Sequence, residues 1–318
     1  YWELLSLGGH IPLDFTLIYA PDLQFKSPVN DGRTQLPPWG NNSAFTTNTV
    51  FRIAEVEDRM VSPAQPYINV FLSDDTLVFK DQGGGNFLPV GPVKYQIQQR
   101  GGYYYLMDPF QERVYIFRSR WLGTEWRDQT RRQFNRRVGE ALFIMDRNNN
   151  TLTFTYNQDN NPMSIEDGLG RRLELAYIDS PNRADRHLNA VSDGYGRRTT
   201  FNFQRLTCRG QAVDVLESFT DAMGQRTRFQ YYDPATTNCN LLQRIQQPLG
   251  NSRIDQTWTQ NPRSVDAVNS QKDAFANETR LSFTADTSDT LITTVTNPDG
   301  SQRVFRHLRE RYPLALTD

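Results

Sequence analysis

The chain of 318 residues is 37% hydrophobic and nearly charge-balanced, with 35 Lys and Arg against 36 Asp and Glu, for a net charge of −1. Near-neutrality argues against a general attraction to nucleic acid, and no apolar run of the roughly 18 residues needed for a membrane-crossing helix is present. A mean hydropathy of −0.66 is low for a compact enzyme, and the polar, aromatic, turn-rich composition suits β-sheet with one wet face.

Residues 1–118 read as strands without a regular period. Ile11 to Tyr19 alternates, and Pro21, Pro28 and Asp31-Gly32 break the pattern, leaving 33–49 as loop. Val50 to Ile53, Ile68 to Leu72, Thr76 to Phe79, Tyr103 to Leu106 and Val114 to Phe117 follow as short β-branched and aromatic runs. Polar tips part them, including Asp74-Asp75 and Gly83-Gly-Gly-Asn86, so irregular antiparallel hairpins are predicted. The glycine-rich tip lacks the Lys-Ser/Thr and the helix that a phosphate loop needs. Residues 119–141 form a connector in which Arg120, Arg127, Arg131, Arg132, Arg136 and Arg137 mingle with Trp121, Trp126 and Phe134. Such a mixture suits a nucleic-acid strand, but a connector whose arginines pair with Glu125, Asp128 and Glu140 or cross to the sheet is the favoured reading, and no nucleic-acid partner is predicted.

From 142 to 318 the chain repeats itself. An Asp-x-x-Gly turn or a variant recurs every 21 to 28 residues, anchored near Asp146, Asp167, Asp193, Asp221, Gln247, Asp273 and Asn297, with Gly170, Gly196, Gly224, Gly250 and Gly300 at the fourth place. Asp folds its carboxylate back onto following N–H groups, and Gly tolerates positive φ, so this spacing is a turn with a mechanism. Apolar or aromatic pairs follow at a fixed offset: Phe154 and Tyr156, Leu175 and Tyr177, Phe201 and Phe203, Phe229 and Tyr231, Leu281 and Phe283. A lone hairpin is marginal in water, so each unit must bury its apolar face against its neighbours. One continuous sheet with these aromatics on one side is predicted.

The Asp-x-x-Gly-Arg-Arg turns followed by aromatic strands, and Tyr156-Asn-Gln-Asp-Asn-Asn-Pro162, resemble the YD repeats of Rhs-type proteins. Asn149 stands in place of the turn Gly, and Gln247 and Asn297 in place of the Asp. The resemblance implies an all-β fold: a YD/Rhs-repeat spiral sheet, a β-solenoid-like shell, preceded by the hairpin region. It also implies a secreted or cell-surface bacterial protein, non-enzymatic, whose partners are further YD repeats of a longer chain and cell-surface glycans or an encapsulated C-terminal toxin domain.

Candidates for chemistry are few. His10, His187 and His307 lack metal-ligand spacing, so neither a metal nor a cofactor is predicted, and the turn aspartates read as structural rather than catalytic. The alternative is a carbohydrate-active enzyme, a glycoside hydrolase or lyase on an all-β frame. That alternative requires a cleft with convergent carboxylates, whereas the scaffold expects none. Cys208 and Cys239 fall at the tips of consecutive repeats, so stacking predicts a disulfide between them, the alternative being two small buried thiols. Leu316 and Asp318 fit the frame of a further repeat, which predicts an interior piece of a longer protein.

Overall fold

The computed structural model describes residues 1–19, 45–49, 51–58, 65–73, 75–121, 126–127, 133–134, 137–157, 161–179, 186–208, 211–232, 241–260, 266–287 and 290–308. Every regular element among them is a β-strand, so the protein is all-β. The described residues fall into two compact units, divided between Thr199 and Thr200.

In the first unit, β1 (Trp2–Ser6), β2 (Asp14–Tyr19) and β3 (Phe45–Thr47) form a small antiparallel sheet. Then β4 (Phe51–Asp58), β5 (Gln65–Leu72), β6 (Asp75–Gly83), β7 (Asn86–Pro89), β8 (Gln96–Arg100), β9 (Tyr103–Asp108) and β10 (Arg113–Trp121) each pair with the next. The short strands β11 (Trp126–Arg127) and β12 (Gln133–Phe134) pair with each other. Beyond them β13 (Arg137–Asp146) pairs with β10 over its whole length and returns to β4 through Val138, Gly139 and Glu140, closing an eight-stranded barrel.

Sequence reading predicts only irregular hairpins for this region. Strand periodicity tells which residues face inward but not which edges meet, and closure is a contact between edges far apart in sequence. Closing removes the two exposed edges an open sheet would present. The connector's side chains from 120 to 138 lie outside the described residues, and so do Asp74 and the side chain of Asp75.

One face of the barrel sheet is largely apolar. Directly opposed residues there are Ile53 and Val70, Val70 and Leu77, Ile68 and Phe79, Ile97 and Leu106, Leu106 and Tyr115, and Tyr104 and Phe117, all buried. Such cross-strand pairs are the unit of sheet stabilisation. The Tyr104 hydroxyl donates to the Glu55 carboxylate, joining β9 to β4, strands that are not neighbours.

The strand β13 is a fork. Its first half pairs with β4 to close the barrel, and its second half, Phe143 to Met145, pairs with β14 (Thr151–Tyr156) to begin a ribbon. A side chain at Gly139 would place its Cβ 2.5 Å from the Arg118 carbonyl oxygen and 2.7 Å from Ile53 Cγ1. Only glycine lets the three strands meet there.

The ribbon continues through β15 (Pro162–Asp167), β16 (Arg172–Asp179) and β17 (Arg186–Asp193), each antiparallel to the one before. Two of its turns hold the N-terminal sheet. Arg171 donates to the carbonyls of Leu7 and Gly8, and Arg197 Nη2 donates to Ser6 O at 3.0 Å. The second unit, from Thr200 onward, is a meander of β18 (Arg198–Cys208), β19 (Gln211–Thr220), β20 (Arg226–Tyr231), β21 (Leu242–Gln246), β22 (Ser252–Gln260), β23 (Asp266–Asp273), β24 (Glu278–Thr287), β25 (Thr290–Thr296) and β26 (Gln302–Leu308). Each strand pairs with the next.

Candidate functional site

Seven turns in the two units share one hydrogen-bonding scheme. At Asp146, Asp167, Asp193, Asp221, Gln247, Asp273 and Asn297 the anchor's N–H donates to the carbonyl four residues on, at 2.9 to 3.1 Å. The residue three places after each anchor has positive φ: Asn149, Gly170, Gly196, Gly224, Gly250, Ala276 and Gly300. Where the anchor is Asp, its Oδ1 accepts from the N–H groups two and four places on, as Asp167 does from Leu169 at 2.9 Å and Arg171 at 3.0 Å. The anchors Gln247 and Asn297 keep the backbone closure and instead pair side chain to side chain, with Asn251 at 2.6 Å and Ser301 at 2.9 Å.

These bonds set the carboxylate acidities. Burial pushes Asp167 and Asp193 up, but the Arg171 and Arg197 side chains and the turn N–H groups outweigh it, so both sit below the ordinary value. At Asp146 and Asp273 the Asn150 and Asn277 amides lead the lowering. Carboxylates so committed are turn-forming groups.

A second feature repeats that the sequence reading did not find. Six of the seven return strands carry an extra residue four places before the anchor, where the register skips: Leu142, Met163, Asn189, Glu217, Gln243 and Asn269. Such a β-bulge leaves ladder groups unpaired. The carbonyl just ahead of it is taken up by the next strand in four cases. Tyr156 donates to Ala141 O at 2.6 Å, Tyr177 to Pro162 O at 2.9 Å, Tyr231 to Leu216 O at 2.6 Å, and Trp258 Nε1 to Leu242 O at 2.8 Å. The repeated tyrosine is therefore a latch on the preceding bulge. Burial pushes the Tyr156 and Tyr177 phenols far above their usual range, so they remain donors.

The signal for the bulge was present. Buried apolar residues stand three apart rather than two in the return strands: Ala141 and Ile144, Leu188 and Val191, Leu216 and Phe219, Leu242 and Ile245. In a regular strand such pairs face opposite ways, and an extra residue between them returns both to one side. Phe154, Phe201 and Phe229, the first aromatic of their strands, are all buried. At the turn tips the residue two after the anchor is apolar and 71% to 96% exposed in Leu169, Tyr195, Met223, Leu249 and Phe275.

A pocket of about 390 Å³ lies in the first unit, where residues 11–14 and 48–49 of the small sheet and its approaches cover the barrel and the start of the ribbon. One wall is aromatic: Phe51 packs on Tyr115 with centroids 5.3 Å apart and edge-on to Phe154 at 5.9 Å. The other is polar, with Asp14, Asp108, Gln111 and Arg113. Asp14 Oδ2 accepts from Asn48 Nδ2 at 2.8 Å, and Asp108 Oδ1 accepts from the N–H groups of Phe110 at 2.9 Å and Gln111 at 3.1 Å. Burial pushes the Asp14 carboxyl up, and it pushes the Tyr115 phenol up to about 12. Neither aspartate is singled out by the sequence, because they belong to different hairpins 94 positions apart and only the fold brings them to one cavity.

The remaining sequence candidates do not converge. His10 is exposed, His187 is buried in β17, and the side chain of His307 lies outside the described residues. No group of three or more metal-ligating side chains occurs among the described residues. Cys239 and the side chain of Cys208 also lie outside them, as do 309–318 with Leu316 and Asp318. No helix among the described residues is long and apolar enough to cross a membrane.

No protein-family model and no curated protein matches the sequence. Among solved structures, a porin-like protein from Bacteroides uniformis ATCC 8492 is similar over 81% of this chain and 94% of its own, at 11% identity and a TM-score of 0.28. So slight a likeness bears on neither fold nor function.

Proposed function

We propose that the chain is a non-enzymatic structural β-scaffold of a secreted or cell-surface protein of the YD/Rhs-repeat kind, its ribbon coiling as a spiral sheet. It would serve surface adhesion through carbohydrate contact, or form part of a shell around a toxin domain. The observation that carries this reading is the recurrence of one turn scheme at all seven anchors, including those whose sequences depart most. Repetition of a local closure with changing side chains is what a modular wall needs, and a single reaction centre does not. In such arrays each unit contacts only its neighbours. Excising one whole repeat, residues 221–246, therefore leaves a chain that still unfolds cooperatively, with a smaller denaturant dependence in proportion to the surface lost. Loss of cooperative folding on that deletion would refute the modular scaffold. Antibody against the chain should label intact producing cells or their medium, and labelling only after lysis would refute the location.

One observation favours a second reading, the carbohydrate-active enzyme: Asp14 and Asp108 line a common pocket, the kind of cleft that reading requires. Release of reducing ends from glycans, abolished by Asp14→Asn, would establish it over the scaffold.

A further inference from the structure

Both carboxylates of the pocket in the first unit have one oxygen occupied and one open. Asp14 Oδ2 takes the Asn48 amide and the Thr16 hydroxyl, and Asp108 Oδ1 takes two turn N–H groups. Asp14 Oδ1 and Asp108 Oδ2 have no hydrogen-bond partner among the described residues, although Asp108 as a residue is only 2% exposed. Neither open oxygen is among the sealed, unpartnered polar atoms of the described residues, so both face the space of the pocket, where a ligand hydroxyl can take the place of water. The occupied oxygens fix the orientation of both side chains, so the open acceptors are preorganised.

The lining chooses among ligand classes. Two carboxylates against the single guanidinium of Arg113, itself donating to Gln111 Oε1 at 2.7 Å, repel phosphates and other anions. Arg113 also acts electrostatically on Asp14 and on Tyr115, which opposes a compact cation between them. A neutral polyol escapes both objections, since its hydroxyls donate to the carboxylates and accept from the guanidinium without needing net charge. Its C–H face needs an apolar wall, and Phe51, Tyr115 and Phe154 supply one. A pocket of about 390 Å³ is at the small end of ligand sites, fit for one or two sugar rings rather than a long glycan.

We propose that this pocket is a saccharide-binding site, in which Asp14 and Asp108 accept sugar hydroxyls, Arg113 donates to them, and the Phe51, Tyr115 and Phe154 wall packs against the ring. It rests on the carbohydrate-contact part of the scaffold reading and assigns that contact a place. The aspartates can be tested without disturbing the hydrogen bonds that hold them. In Asp14→Asn and Asp108→Asn the amide oxygen keeps the occupied position while an NH2 group replaces the open acceptor.

The assay is saturation-transfer NMR on the full chain with methyl β-glucoside, N-acetylglucosamine, cellobiose, maltose and N,N′-diacetylchitobiose, followed by titration of any binder. The expected result is that at least one of these sugars binds, and that each Asn variant, with a melting temperature no lower than the parent's, weakens it tenfold or more. Gln111→Leu, on an exposed turn where folding is not at stake, should weaken it as well. No transfer to any of the five sugars overturns the proposal. Affinity within twofold of the parent in the folded variants overturns it too, because the sugar then sits elsewhere. Neither failure touches the repeat-excision result, so the site and the scaffold stand or fall separately.

Discussion

Replacing Tyr156 by Phe removes one hydroxyl and nothing else, which makes it the cleanest probe of the latch. Its oxygen lies 2.6 Å from the Ala141 carbonyl, beside the bulge at Leu142 where β13 forks between barrel and ribbon. Ala141 is fully buried, so water does not take over the freed carbonyl. An unsatisfied buried carbonyl costs about 1–3 kcal/mol. With roughly 2–4 °C per kcal/mol for a unit of this size, the transition of the first unit should fall by about 2–12 °C. Differential scanning calorimetry reads this directly, and Tyr177→Phe, at a longer 2.9 Å contact, should lose no more. A melting temperature within about 1 °C of the parent, the range of an ordinary surface substitution, would show that the phenol is packing rather than latching.

Three further outcomes follow from the geometry. Gly139→Ala forces a Cβ to within 2.5 Å of the Arg118 carbonyl oxygen, so it should destabilise by about 1–3 kcal/mol. Amide exchange should then accelerate in β4 and β13 together, and acceleration in only one of the two strands, or in neither, would refute the closure role. Ala276 holds φ +64° at a turn where other repeats use Gly; Ala276→Gly should stabilise by roughly 0.5–1 kcal/mol in urea titration, and destabilisation would contradict the strain. Asp146, Asp167, Asp193 and Asp273 are lowered by folding, so their stabilisation is complete above the ordinary carboxylate value of 3.8 and is lost as pH falls through their lower folded values. Asp14, raised by burial, works the opposite way, its ionisation above about 3.8 opposing folding. Acid titration of Asp167→Asn should show a shallower loss below pH 3.8 than the parent, and identical curves would refute the assignment.

What the sequence disclosed is whatever was written locally. A turn needs an acceptor and a residue that tolerates positive φ within five positions, so the anchors at Asp146, Asp167, Asp193 and Asp221 could be read off directly, and even Gln247 and Asn297 stood at the right spacing. The aromatic offsets likewise mark strands with one buried face. The barrel was not legible, because the contact of Val138, Gly139 and Glu140 with β4 joins residues more than eighty positions apart, and strand pattern is silent on partners. Nor was the pocket. Asp14 sits in a small sheet and Asp108 in a hairpin turn, and each reads as a surface turn residue until the fold sets them in one wall. The bulge was visible in principle as a slip from two-residue to three-residue spacing of buried positions, a signal that alternation alone discards.

Turn and latch also differ in how far they persist along the second unit, and that difference has a measurable consequence. The turn scheme holds to Asn297, because its chemistry is contained in five residues. The bulge and its donor span two strands and fail sooner: Phe283 has no hydroxyl to give, and β25 pairs regularly with β24 opposite Phe283. Burial falls in step. In β19 to β21, Val215, Leu216, Phe219, Phe229, Leu242 and Ile245 are buried, whereas Leu291 and Thr293 are the buried side chains described in β24 to β26, and Val304 and Phe305 are exposed. Strands kept in register by turns, with little apolar surface removed from water, open at low free energy even though every ladder bond is made. Amide exchange at pH 7 should therefore be slowest in β19 to β21 and at least tenfold faster in β24 to β26, although turn amides such as those of Gly224 and Gly300 donate the same bond to their anchors at 3.0 and 2.9 Å. Uniform protection across the unit would mean that the turns alone hold the ribbon, and the latch would then contribute nothing to its stability.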